Sequence, residues 1–247
     1  MKTNKPKWPP ETESNILPTH LFYPQGRLFY LFHALLFIII IFPYVETPTE
    51  KLPPLLLTIT NIAIIGSIIY AVSINNKQVI VGLILGLPTL ILCWIHVPIT
   101  QQLALLLTTL LYIYTILLII PFLVGAKKIG SEEIYGAISL YFLLGLTWAT
   151  IYQELEWFYP HSLQLVTSQS GASELIWSDY LFFSFTTLTT LGYGDIVPIN
   201  SNARSLAIIE TTTGVIFLTV MVARIIGQSL TTGVCSLLAS NKHKSIQ

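Results

Sequence analysis

The chain has 247 residues, of which 53% are hydrophobic and 10% charged, and its formal net charge is zero. A soluble protein carries about 25% charged residues, so this composition predicts an integral membrane protein and excludes a basic surface for nucleic acid. The five histidines show no metal-ligand spacing, and the sequence contains no phosphate-binding loop, nucleophile triad or pair of catalytic carboxylates. We therefore expect neither an enzyme nor a cofactor.

The apolar segments predict an all-α membrane protein. An α-helix needs about 20 apolar residues to cross a bilayer. Six segments are long enough, at 27–43, 55–74, 79–96, 102–124, 133–157 and 202–233. A seventh, at 178–190, is too short and fits a re-entrant helix, which membranes tolerate where it lies within protein or lines a water-filled cavity. The sequence thus predicts six spanning helices and one half-helix.

The charged residues predict the orientation of these helices, because cytoplasmic loops carry an excess of Lys and Arg. If both termini are cytoplasmic, most basic residues fall on that side, namely Lys2, Lys5, Lys7, Arg27, Lys77, Lys127, Lys128, Lys242 and Lys244. Residues 129–203 contain no Lys or Arg and would face outward. An acidic outer mouth that attracts cations is then expected from Glu154, Glu156, Glu174, Asp179 and Asp195.

The first 126 residues are expected to form two parts. Residues 1–20, rich in Pro, Lys and Glu, predict a disordered cytoplasmic N-terminus, and residues 21–126 predict a four-helix transmembrane domain. A helix that senses the membrane potential needs Arg or Lys at every third residue. The segment 102–124 has none, so we expect no intrinsic voltage sensing.

The strongest functional signal follows the half-helix, in the filter segment Thr190-Leu191-Gly192-Tyr193-Gly194. Gly192 and Gly194 can take positive φ without steric cost, which allows consecutive carbonyl groups to point at one axis. The carbonyls of residues 190–193, with the Thr190 hydroxyl, can replace the hydration shell of a monovalent cation. One chain supplies one side of each oxygen ring, so we expect four copies around the axis.

The residues around the filter segment are expected to support it. The half-helix begins near Ser178 and Asp179, which are good N-cap residues, and its C-terminal dipole would stabilise a cation near the membrane centre. An aromatic cuff is expected around Tyr193, formed by Trp177, Phe182 and Phe183. Four polar residues complete the predicted support: Thr186, Thr187, Thr189 and Asp195.

The last helix carries the candidate gating residues. Gly214 lies in the middle of this helix, where it can act as a bending point or allow close packing against the half-helix. The i, i+3, i+7 spacing of Val215, Leu218 and Val222 places them on one face. We assign this face to the inner cavity and its constriction, which can gate by dewetting.

Glu210 is an acid well inside a predicted spanning helix, where ionisable residues are functional hypotheses by default. We expect it to hydrogen-bond behind the filter segment, to Thr186, Thr187 or a neighbouring chain, bracing the filter and tuning inactivation. The alternative is a buried structural carboxyl with no gating role. Arg224, on the same face of the helix, is expected to be a snorkelling anchor at the cytoplasmic interface.

Residues 134–235 resemble the pore domain of the potassium channel superfamily, most specifically over 187–195. The last helix resembles, more loosely, the inner helix of prokaryotic members of the ion-channel family. The resemblance implies a pore domain over 127–235 and a short cytoplasmic tail at 236–247. The parts of this domain are an outer helix at 133–157, a pore helix at 178–190, the filter at 190–194 and an inner helix at 202–235.

The resemblance also implies a homotetramer in the lipid membrane that conducts K+ passively, with K+ bound by Thr190, Leu191, Gly192 and Tyr193. Two alternatives stay open, a nonselective cation channel and a regulatory or silent subunit whose four-helix domain binds a partner. A potassium transporter subunit is disfavoured, since those systems fuse four pore modules in one polypeptide. A compact chain without targeting segments favours the plasma membrane of a prokaryote.

Overall fold

The computed structural model describes residues 26–45, 62–63, 65–71, 76–92, 95, 97–126, 130–166 and 175–244. Within these ranges the chain is mostly helical. The helices are α1 (Arg27–Val45), α2 (65–71), α3 (Asn76–Leu92), α4 (Pro98–Gly125), α5 (Ser131–Phe158), α6 (Trp177–Leu188) and α7 (Ser201–Lys244). Two short strands, β1 (Leu163–Leu165) and β2 (Ile196–Pro198), pair in an antiparallel sheet.

Three described helices are long and apolar enough to cross a membrane, namely α4, α5 and the Ser201–Arg224 part of α7. Shorter apolar helices at Arg27–Ile41 and Asn76–Leu92 coincide with the first and third predicted spans. The predicted N-terminus at 1–20 and much of the predicted span at 55–74 lie outside the described residues. The chain is an integral membrane protein, and six spans stay a prediction.

The last helix is longer than the sequence predicts. The prediction ended the inner helix at residue 235 and began a tail at 236, whereas α7 continues to Lys244. The predicted end followed the loss of apolar character, but an α-helix satisfies its own backbone hydrogen bonds and can continue into polar surroundings.

Helix α5 is the element on which the others pack. It contacts α1, α4, α6 and α7, while α3 packs against α4. Glycines permit the closest approaches. A Cβ atom at Gly136 would lie 2.9 Å from Leu28 of α1, and one at Gly145 would lie 2.6 Å from the Phe185 ring of α6. Small residues of this kind let membrane helices approach closely without steric conflict.

Polar contacts join the helix ends at one end of the bundle. Glu132, in the first turn of α5, accepts hydrogen bonds from the N–H groups of Gly26 at 2.7 Å and Leu28 at 3.4 Å. Arg224 of α7 donates to two carbonyl groups at the end of α4. The starts of α1 and α5 and the end of α4 therefore lie on the same side.

The two-stranded sheet departs from the all-helical prediction. Beyond the paired strands, the N–H of Val166 donates to the Asp195 carbonyl at 2.7 Å, and the N–H of Ile199 donates to the Ser162 carbonyl at 2.8 Å. The sheet ties the chain leaving α5 to the chain leaving the filter segment. Strands of three residues are too short to give a recognisable alternation in sequence, which is why they were missed.

Candidate functional site

Hydrogen bonds hold the filter segment to the last turn of α6. The Thr186 carbonyl accepts hydrogen bonds from the N–H groups of Leu191 at 2.8 Å and Gly192 at 3.1 Å. Gly192 and Gly194 have φ of 51° and 81°, the positive values predicted for them. Thr190 also has a positive φ, 61°, which is uncommon for a residue with a side chain. The chain thus leaves helical geometry abruptly at Thr190.

One side of the filter segment faces open space in the single chain. Leu191 and Tyr193 are 56% and 68% exposed. Cβ atoms built on Gly192 and Gly194 would meet no atom within 4 Å. One chain therefore leaves the backbone of the filter segment uncovered on that side.

The aromatic cuff is present only in part. Phe182 stacks on Tyr193, with ring centroids 6.0 Å apart and an interplanar angle of 10°. Phe183 is buried against Tyr152 of α5, edge-to-face at 4.9 Å, so its predicted place beside Tyr193 is wrong for this chain. Trp177 is half-buried as the first residue of α6. Adjacent helical residues point to different faces, which separates Phe182 from Phe183.

The start of α6 also differs slightly from the prediction. The helix begins at Trp177, with Ile176 rather than Ser178 or Asp179 in the cap position. Asp179 lies in the first turn and accepts the Ile176 N–H at 2.9 Å. Its carboxylate therefore caps the helix from inside the first turn.

Other acids predicted at the outer mouth also hold the fold together. Glu156 accepts hydrogen bonds from the N–H groups of the turn at 161–163. Glu154 accepts one from the side-chain amide of Gln102 on α4. Glu174 lies outside the described residues. Glu154 and Glu156 therefore also make contacts within the chain, and their contribution to an acidic mouth stays a prediction.

The polar support residues mostly bond to nearby backbone. The Thr186 and Thr189 hydroxyls donate to carbonyl groups of the preceding turn of α6. The Thr187 carbonyl accepts the Thr190 N–H at 3.0 Å. The Asp195 carboxylate accepts the next backbone N–H at 3.2 Å. These bonds shape the end of α6 and both ends of the filter segment.

Glu210 is fully buried where α5, α6 and α7 meet. The Tyr152 hydroxyl donates to its Oε2 at 2.7 Å, and its Oε1 lies 2.6 Å from the Ser184 hydroxyl. The predicted partners Thr186 and Thr187 are therefore wrong. Ser184 lies on the buried face of α6, whereas the Thr186 hydroxyl bonds to its own helix. Glu210 thus joins all three helices.

Gly214 is the point at which α7 crosses the end of α6. A Cβ atom there would lie 2.1 Å from the carbonyl oxygen of Leu188, closer than real Cβ atoms approach a carbonyl. The sequence predicts that Gly214 either acts as a bending point or allows close packing against the half-helix. This contact shows the close packing. One turn earlier on α7, the Thr211 hydroxyl lies 3.4 Å from the Thr187 carbonyl.

Comparisons of the sequence with known proteins identify similar ion channels. Residues 140–231, which include α6, the filter segment and much of α5 and α7, match a family model described as ion channel. Over 61 residues the chain is 39% identical to two-pore potassium channel 4 of Arabidopsis thaliana. Together these matches support membership of the potassium channel superfamily for this region. The match to the plant channel covers 25% of this chain and 22% of that protein, about a fifth of its length.

Helix α7 has two contrasting faces. Gly214 is buried and Phe217 and Met221 pack against the core of their own chain. Val215, Leu218 and Val222, assigned above to the cavity, are each about half exposed. Because Gly214, Phe217 and Met221 face inward, Val215, Leu218 and Val222 face away from the bundle of their own chain.

Arg224 contributes a contact that the sequence did not reveal. Its guanidinium donates to the carbonyl of Val124 at 2.8 Å and to that of Ala126 at 2.9 Å, at the end of α4. The last carbonyls of a helix have no partner within the helix, and a basic side chain satisfies them well. Arg224 therefore joins α7 to the end of α4, in addition to its predicted interfacial role.

Sequence reasoning also missed Tyr152 and Ser184, the partners of Glu210. The available signal was that a buried carboxyl needs hydrogen-bond partners. Both neighbouring helices, however, carry several hydroxyl side chains. The choice among them depends on the rotation of each helix about its axis, which a single sequence leaves open.

Proposed function

We propose that the chain is a potassium-selective channel that conducts K+ passively through a homotetrameric pore. The observation that carries the proposal is the filter backbone, with Gly192 and Gly194 at positive φ and its N–H groups held by the end of α6. This leaves the carbonyls of Thr190, Leu191, Gly192 and Tyr193 as the proposed ligands of dehydrated K+. The named activity of the plant relative supports the choice of K+.

Assembly into a homotetramer is supported by what a single chain leaves uncovered. The filter segment has open space on one side. Only 11% of the membrane-spanning window of α7 is buried within the chain. Three further copies would close the ring of carbonyls and cover part of α7, and lipid would cover other apolar faces.

The remaining parts of the pore follow from this assembly. Val215, Leu218 and Val222 would line the inner cavity, and Gly214 would keep α7 pressed against α6. Both termini are proposed to be cytoplasmic. The starts of α1 and α5 and the end of α4 lie on one side of the bundle, and the basic residues of the sequence cluster on that side. We further propose that the channel lies in a prokaryotic plasma membrane and has no intrinsic voltage sensor.

Two other functions make different predictions. A nonselective cation channel would hold the filter segment too loosely to discriminate K+ from Na+. A regulatory subunit would give no current alone, and the contact of Arg224 with α4 offers a route by which a partner of the N-terminal helices could act on the pore. The Gly-Tyr-Gly core favours the selective channel over the nonselective one, and recording from the chain alone separates the channel from a regulatory subunit.

The test is the reversal potential of the purified channel in planar bilayers, with K+ on one side and Na+ on the other. We expect reversal near the potassium equilibrium potential. Reversal near zero with clear current would show a nonselective channel, and a lack of current would favour a regulatory subunit. Gly192→Ala is the control, because positive φ costs alanine roughly 1–2 kcal/mol, and it should abolish selective current if ions pass this filter.

A further inference from the structure

The two hydroxyl groups around Glu210 have two hydrogens to donate. Three acceptor oxygens lie within hydrogen-bond distance of these hydroxyls, so one acceptor lacks a hydrogen. The Ser184 Oγ lies 2.7 Å from the Gly145 carbonyl and 2.6 Å from Glu210 Oε1. The Tyr152 hydroxyl lies 2.7 Å from Glu210 Oε2. Tyr152, Ser184 and Glu210 are all buried, at 0% exposure each, so these short contacts are bonds between protein groups.

Counting hydrogens shows what the cluster requires. A serine hydroxyl has one hydrogen to donate and two lone pairs to accept with. The Gly145 carbonyl can only accept, so Ser184 must give its hydrogen there. If Glu210 were an ionised carboxylate, Oε1 and Oγ would then face each other at 2.6 Å without a hydrogen between them. A proton on Oε1 removes this conflict and completes every bond.

We propose that Glu210 is a neutral carboxylic acid that donates to Ser184 and accepts from Tyr152, and that this bridge positions the potassium filter. The bonds then run in one direction, from the Tyr152 hydroxyl to Oε2, from Oε1–H to the Ser184 Oγ, and from Ser184 to Gly145. The bridge is uncharged, which suits a site buried within a membrane protein, where an unpaired charge is costly. Glu210 is thus a positioning residue and touches no ion.

The bridge acts on the filter through α6. Ser184 lies in the same helix as Thr186, whose carbonyl holds the N–H groups of Leu191 and Gly192. Tyr152 and Gly145 belong to α5 and Glu210 to α7, so the bridge fixes α6 between two spanning helices. Movement of α6 would carry the filter carbonyls with it. This part of the proposal depends on the proposed K+ conduction, whereas the protonation of Glu210 does not.

The protonation is tested by infrared spectroscopy of the purified full-length channel. A protonated carboxyl has a C=O stretch separate from the bands of carboxylates. We expect this band to disappear in Glu210→Gln. In the matched control, Glu156→Gln, a carboxylate band should disappear instead, because the Glu156 oxygens accept backbone N–H groups and need no proton. Loss of a carboxylate band in Glu210→Gln would overturn the proposal.

The positioning role is tested by the ratio of K+ to Na+ permeability in the same variants. A glutamine amide can donate to Ser184 and accept from Tyr152, so Glu210→Gln should keep the wild-type ratio. Glu210→Ala and Ser184→Ala should lower the ratio about tenfold, since each leaves buried groups unpaired. An unchanged ratio in both alanine variants would overturn the positioning role. Absence of selectivity in the wild-type channel would overturn the proposed function and leave the infrared result standing.

Discussion

At the scale of single residues, Gly214 allows α7 to approach the end of α6 closely. Gly214→Ala would place a methyl group 2.1 Å from the Leu188 carbonyl oxygen, so α6 and α7 must separate. Overpacking of this kind costs about 1–3 kcal/mol. We therefore expect the detergent-solubilised Gly214→Ala variant to unfold at a lower temperature than the wild-type protein.

The matched control for this substitution is Gly227→Ala on the same helix. A Cβ atom at Gly227 would meet no atom within 4 Å, and alanine favours a helix by about 1 kcal/mol over glycine. Gly227→Ala should therefore be neutral or stabilising. If the two variants unfold at the same temperature, the close approach at Gly214 does not limit stability.

Residue-level predictions succeeded where the chemistry of one residue type was decisive. The positive φ of Gly192 and Gly194 follows from the backbone freedom of glycine. The burial of Glu210 was expected from its place in an apolar helix, but its partners were wrong because they depend on the rotation of α6. The positive φ of Thr190 could not be predicted, since it is imposed by the turn from α6 into the filter.

At the scale of elements, long apolar segments predicted helices well, because length and hydropathy are properties of the sequence alone. The predicted segments at 102–124 and 133–157 correspond to α4 and α5, each a few residues longer. The pairing of β1 with β2 was missed. It depends on residues 163 and 198 meeting in space, and nothing in either short segment requires this.

The contact between α4 and α7 gives a prediction at this scale. Arg224→Met keeps an apolar stem but removes both hydrogen bonds to the end of α4. Hydrogen bonds to a charged group contribute about 1.5–3 kcal/mol each, and the exposed position reduces that contribution. We expect the distance distribution between spin labels placed at the end of α4 and on α7 to broaden in the variant.

Arg204→Met provides the comparison for Arg224→Met. Arg204 lies at the other end of α7 and donates to the Pro198 carbonyl at 3.2 Å. Arg204→Met should leave the distance distribution between the spin labels at the end of α4 and on α7 unchanged. Equal distributions in wild type and Arg224→Met would mean that α4 and α7 are held together by apolar packing alone.

At the scale of the whole molecule, contacts within one chain join the N-terminal helices to the rest of the structure but leave one side of the filter segment uncovered. Glu132 and Arg224 bind the N-terminal helices to α5 and α7 within one chain, whereas the filter segment remains open on one side. In the proposed channel, movement of the N-terminal helices would therefore be transmitted to α5 and α7. The membrane potential can move the N-terminal helices only through the charges that these helices carry.

For the proposed channel, the charges of the N-terminal helices predict insensitivity to voltage. Helix α4 contains no Lys or Arg between Pro98 and Gly125, and the basic residues of α1 and α3 lie at their first turns, as Arg27 and Lys77. One charge crossing the full field changes an equilibrium by about 2.3 kcal/mol per 100 mV, or about 50-fold. With none available in α4, we expect open probability in symmetrical K+ to vary less than about twofold over such a range. Single-channel recording at both polarities measures this directly, and a steep dependence would require charge movement elsewhere in the chain.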